Sequence, residues 1–220
     1  MDIKFFLIER TKFIRFFYKN ASATFSNITS DIENGRAPYI PPYSEDGEPP
    51  FMVEWLDAKL GFEACGHHAI SMLSSSLQLF LKAWVDRLDK YHGMKFSVNF
   101  KKNGWLNGYL DIFNEIDLDM STCPADLSIV EQITLARNSI QHPKYLTIIN
   151  VSHTEDDLKK YPSPYFIHDS ELTLALEEDE HSWLMPPTIS PTEEKVLEAI
   201  SQVELLCSWL ESEYWKARNK

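Results

Sequence analysis

At 220 residues, with 44% hydrophobic, 13% aromatic and 25% charged side chains, the chain is long enough to bury its own core and has the composition of a globular domain. Its net charge of −12 excludes a globally sticky surface for nucleic acid and leaves only a local basic channel open to it. Only seven Gly argue against a turn-dense β-architecture, and three Cys (Cys65, Cys123, Cys207) without CxxC spacing give neither a disulfide framework nor a zinc site, which fits a reducing cytoplasm.

The first helical stretch runs from about Asp2 to Glu33, with a possible break near Asn20. Its start mixes Phe5, Phe6, Phe13, Phe16, Phe17, Ile8 and Ile14 with Lys4, Arg10, Lys12, Arg15 and Lys19. Charges interrupt the apolar run throughout, so it is neither a signal peptide nor a membrane span. The expected role is a first bundle helix burying Phe and Ile, in preference to a helix lying on a membrane surface. Residues 35 to 50 carry five Pro and two Gly and read as a turn-rich linker. From Phe51 to about Tyr91, apolar residues recur at threes and fours, predicting a long helix that Gly61 and Gly66 can kink.

Lys95 to Lys101 alternates like a strand or edge loop, Trp105 to Ile116 reads as a helix, and Thr122 to Asp126 as a turn. Leu127 to His142 is again helical. Leu146 to Val151 and Leu172 to Leu176 are β-prone, with Tyr165-Phe166-Ile167 between them, which predicts a small hairpin-like insertion. Glu177-Glu178-Asp179-Glu180 reads as a solvated loop. Ser190-Pro191-Thr192-Glu193 is a helix start with Ser190 as cap, and the final helix is expected to bury Val196, Ile200, Val203, Leu206, Leu210 and Trp215. The expected fold is therefore mainly α: one domain over 1–220, a bundle of four or five helices with a β-elaboration at about 145–180, within an insertion reaching about 190.

Chemistry-bearing groups are sparse. Glu63 and His67 share a helix face four residues apart beside His68, but no matching ligand pair comes from a second helix, so no metal is expected. Gly-rich phosphate cradles, nucleophile elbows and CxxC pairs are absent, and no cofactor is implied.

One hexapeptide stands apart: Arg137-Asn138-Ser139-Ile140-Gln141-His142, followed by Pro143. At about 100° per residue, Leu127, Val130, Ile133, Ala136 and Ile140 form one apolar arc, and Arg137 falls inside it. A guanidinium facing a core is costly unless paired, and Asp111 or Glu115 on the preceding helix are the candidate partners for a purely structural Arg137. Asn138 and His142 sit four apart beside it. Pro143 ends the helix and leaves the imidazole at the negative end of its dipole. A second Arg-to-His pair with the same spacing, Arg87 to His92, has Leu88 where the first has Asn138, and Gly93 after it marks an ordinary helix end.

Arg137, Asn138 and His142 together resemble the catalytic motif of the HEPN superfamily, helical domains whose nuclease members carry Arg, a polar residue directly after it, and a downstream His. The resemblance covers this one motif and the helical setting. It implies a metal-independent endoribonuclease that uses the 2′-hydroxyl of its RNA substrate as nucleophile, with His142 as general acid or base, Arg137 stabilising phosphate charge and Asn138 orienting either. It also implies a homodimer with a composite cleft and a setting in toxin–antitoxin or antiviral defence with an antitoxin or regulatory protein as partner; no membrane partner is expected, because no apolar run approaches ~18 residues. One HEPN toxin subgroup places a modifiable Tyr two residues after the His. Here Lys144 is there and Tyr145 follows, so the likeness does not extend to that regulation. The alternative is a non-catalytic helical interaction or regulatory subunit that docks a protein partner.

Overall fold

In a computed structural model, residues 2–42, 49–96, 100, 104–143, 149–171 and 186–217 are described. They form a mainly α-helical protein with helices α1 (Ile3–Glu33), α2 (Met52–His92), α3 (Trp105–Glu115), α4 (Leu127–Gln141), α5 (Glu155–Lys160) and α6 (Glu193–Ala217). No helix among these residues is long and apolar enough to cross a membrane.

Helix α1 starts where Asp2 accepts a hydrogen bond from the Phe5 N–H at 2.9 Å, an N-cap that satisfies one free donor of the first turn. It continues through Asn20, whose amide donates to the Phe16 carbonyl and so stays within the helix, against the expected break. Ile3, Leu7, Ile14 and Tyr18 are buried in the core, on one stripe at helical spacing. The expectation that the Phe residues join them is wrong: Phe5, Phe6, Phe13 and Phe16 are 54%, 53%, 58% and 64% exposed.

Helix α2 is continuous through both glycines. They serve close approach: a Cβ on Gly61 would meet the Phe25 ring of α1 at 2.3 Å, and one on Gly66 would meet the Pro191 carbonyl oxygen at 2.8 Å. The helix ends at Gly93 in the left-handed conformation (φ +68°), as a C-terminal glycine permits. Helix α2 packs against α1, α4 and α6, and α6 also contacts both α1 and α4. Helices α1 and α4 share no comparable contact, which puts them at opposite corners of the bundle. Between them, Leu77, Leu81, Trp84, Ile133, Val203 and Leu210 are fully enclosed. In α6 the expected Trp215 is 59% exposed, and Trp209 is the buried tryptophan. The cap also shifts: Thr192 Oγ1 accepts the Lys195 N–H, while the Ser190 N–H donates to the Phe166 carbonyl instead.

Of the expected β-elaboration, 145–148, 172–176 and the acidic 177–180 lie outside the described residues, as do 97–99 and Lys101 of the expected strand after α2. Within 149–171 the chain forms a short helix. Thr154 and Asp157 exchange side-chain and backbone hydrogen bonds in a capping box, acids fill the first turn of α5, and Lys159 and Lys160 occupy its last. Extended pairing among the described residues is limited to one antiparallel bridge, Ser152 with Thr188. Phe166 and Ile167, the expected middle of the hairpin, are buried as anchors of an irregular segment.

Candidate functional site

Helix α4 positions the motif. Asp126 caps its start by accepting the Ser128 and Ile129 N–H groups, and Val130, Ile133 and Ala136 fasten it to the core. At the far end His142 is the C-cap, with φ −129° and ψ 62°, so the backbone leaves the helix one residue before Pro143 as the sequence predicts. Asn138 hydrogen-bonds to the Arg137 side chain and the His142 backbone. Its Oδ1 accepts a hydrogen bond from Arg137 Nη1 at 3.0 Å, and its carbonyl accepts the His142 N–H at 3.0 Å. The His142 side chain is exposed, and among the described residues its ring has no hydrogen-bond partner.

Arg137 is half-buried. Among the described residues it forms no ion pair, so neither Asp111 nor Glu115 supplies the structural partner considered for it. The other half-buried arginines behave differently. Arg15 makes a two-pronged pair with Glu204, Nη1 to Oε1 at 2.5 Å and Nη2 to Oε2 at 2.9 Å, and Arg87 grips both carboxylate oxygens of Glu211. Arg137 has an amide for company where these two have a carboxylate.

Sequence reasoning missed the cluster that fixes the insertion to the first half of α4. Glu131 accepts hydrogen bonds from Lys160 and from the Tyr161 hydroxyl (2.6 Å), and Gln132 Oε1 accepts the Tyr165 N–H at 2.6 Å. Burial alone would raise the Glu131 carboxyl, but the Lys160 and Tyr161 hydrogen bonds and the Lys160 charge outweigh it and hold it below the usual carboxylate range. Burial, then Glu131, pushes the Tyr161 phenol up, so it stays a donor. Gln132, Leu135, His153, Asp157, Tyr161 and Pro164 line a small cavity at this junction. The signal was present as Thr154-Glu155-Asp156-Asp157, a capping box that announces a helix in the insertion.

Glu63 and His67 do not converge with further ligands: His67 Nε2 is bonded to the Ile189 carbonyl at 2.8 Å, and no three His, Cys, Asp or Glu side chains among the described residues group as a metal site. Lys144 lies outside the described residues. No family model, curated protein or solved structure matches the chain.

Proposed function

We propose that the chain is a metal-independent endoribonuclease acting through Arg137, Asn138 and His142. What carries this reading is that the guanidinium of a half-buried arginine, hydrogen-bonded to Asn138 at 3.0 Å and free of any carboxylate among the described residues, sits five residues before an accessible imidazole. A cation left unneutralised at a helix end is suited to an anion brought by a ligand, and a phosphodiester provides one. In the proposed reaction the 2′-oxygen attacks phosphorus as an imidazole removes its proton. The bond from phosphorus to the 5′-oxygen breaks, and the departing oxygen takes up a proton. The products are a 2′,3′-cyclic phosphate and a 5′-hydroxyl. Imidazoles ordinarily titrate near neutral pH and serve in either proton transfer. One Arg and one His form a thin set, so the reading includes a two-fold dimer that joins two copies of α4 across a shared groove.

The test is incubation of the full chain with an oligoribonucleotide in EDTA, with products read by mass spectrometry. The expected result is cleavage to 2′,3′-cyclic phosphate ends, blocked by 2′-O-methylation at the cleaved nucleotide. A 3′-hydroxyl product, or activity lost in chelator, would replace this chemistry with a metal-dependent one. Absence of cleavage together with a stable monomer would leave the non-catalytic interaction module as the better reading.

A further inference from the structure

The first turns of α1 carry two apolar faces, and only one is used by the fold. Ile3, Leu7, Ile14 and Tyr18 point inward, while Phe5, Phe6, Phe13 and Phe16, all more than half exposed, line the opposite side. They extend over about 16 Å of helix at 1.5 Å per residue. Basic side chains border the stripe: Lys4, Arg10 and Lys19 are exposed and have no carboxylate partner among the described residues, while Lys12 pairs with Glu9 and Arg15 with Glu204. Counting Lys4, Arg10, Lys12, Arg15 and Lys19 against Asp2 and Glu9, residues 1–20 are net +3, which leaves −15 on the rest of the chain.

We propose that this Phe stripe with its basic border docks on an anionic phospholipid surface. Charge complementarity selects the occupant. Phe rings enter the boundary between headgroups and acyl chains while Lys and Arg remain at the phosphates, the pattern of helices that lie in the interface plane. A second copy joined α1 to α1 would set +3 against +3. A single-stranded nucleic acid needs flat ring faces on which to stack, and here Phe5 and Phe6 meet edge to face at 5.5 Å and 77° on a convex helix. The acidic remainder would be repelled by the same surface, which orients the molecule with α1 down. Because α4 sits at the opposite corner of the bundle, the Arg137 end of the molecule then faces water. This proposal stands independently of the nuclease reading.

The experiment is flotation of the full chain with vesicles of phosphatidylcholine alone or mixed with phosphatidylserine. Binding is expected to the anionic vesicles only and should weaken as salt rises. Phe13→Ser/Phe16→Ser should weaken partitioning by about tenfold or more, and Arg10→Glu/Lys19→Glu by about fivefold for each charge removed. Both pairs are exposed, so melting curves should match the parent, and the charge variant serves if the Phe variant misfolds. Failure to float with anionic vesicles overturns the proposal, as does equal flotation of both variants. A dimer that the Phe variant reduces to monomer without vesicle binding assigns the stripe to self-association. Loss of RNA binding without vesicle binding assigns it to nucleic acid.

Discussion

Arg87 and Arg137 each stand five residues before a histidine that closes a helix, and the structure gives the two pairs opposite surroundings. At the end of α2, Arg87 is gripped by Glu211, its guanidinium lies 4.3 Å from the centre of the Tyr214 ring, and His92 Nε2 shares a hydrogen bond with the Tyr214 hydroxyl at 3.3 Å. Tyr214 in turn packs edge to face on Trp84. At the end of α4, among the described residues, Arg137 has one side-chain hydrogen bond, to its neighbour Asn138, and the His142 ring is unengaged. Spacing along a helix decides which side chains can meet. What the neighbouring helix presents decides whether they are consumed as structure or left for a ligand.

The largest expected effect is on catalysis. Arg137→Ala and His142→Ala should each lower RNA cleavage by about 10²-fold or more, the scale of a lost proton-transfer or charge-stabilising group. Both should leave the melting temperature nearly unchanged, because neither side chain holds other described residues in place. Arg87→Ala should keep its activity per folded molecule. Retained cleavage in the α4 variants, or their unfolding, would erase the distinction between the two pairs.

Stability should separate them in the reverse direction. Removing Arg87 leaves Glu211 without its cation at a site where both side chains are about four-fifths covered, and forfeits the contact with Tyr214. A fully buried pair costs roughly 3–5 kcal/mol to break; with partial solvent access we expect about 2–3 kcal/mol for Arg87→Ala in urea unfolding. The Arg137→Ala change should stay within about 0.5 kcal/mol. A cycle of Arg87→Ala, Glu211→Ala and the double variant isolates the pairing from the ring contact. Coupling near zero would mean that the α2 pair is held by packing alone.

The helices were legible in the sequence because periodicity and caps report local geometry. Partner identity was not: Glu204 for Arg15 and Glu211 for Arg87 come from α6, far along the chain, and nothing local to either arginine names them. The N-terminal helix shows the same limit in another form. In its first half, Ile3, Leu7 and Ile14 lie opposite Phe5, Phe6, Phe13 and Phe16, both arcs apolar, so hydrophobicity alone offered two equally good core faces. The Gly61 contact with Phe25 and the covering of the Ile stripe by α2 and α6 settle the choice only in three dimensions. The Trp215 misassignment has this origin too, since Trp209 and Trp215 both fit an apolar face and packing selects Trp209. Within the site, the helix end at His142 was legible through Pro143. The freedom of Arg137 from Asp111 and Glu115 was not, because it depends on how α3 is placed beside α4.

Acid titration offers the smallest test, because it reads two imidazoles that the fold encloses. Burial holds His67 and His153 below the ordinary 6.5, although each ring is hydrogen-bonded to a backbone carbonyl, Ile189 for His67 and Phe166 for His153. Asp157 and Glu171 partly oppose the shift at His153, and His68 adds to it at His67. A histidine depressed in the folded state binds fewer protons there than in the unfolded chain at any pH between its two values. Its contribution to stability is therefore complete above about 6.5 and is lost as pH falls through the folded value. Urea midpoints should decline on acidification across this window. His153→Gln should flatten the decline by removing one titrating group. A slope unchanged in His153→Gln would mean that enclosure does not hold this imidazole neutral, and the acid-sensitive part of the stability would then have to lie with other groups.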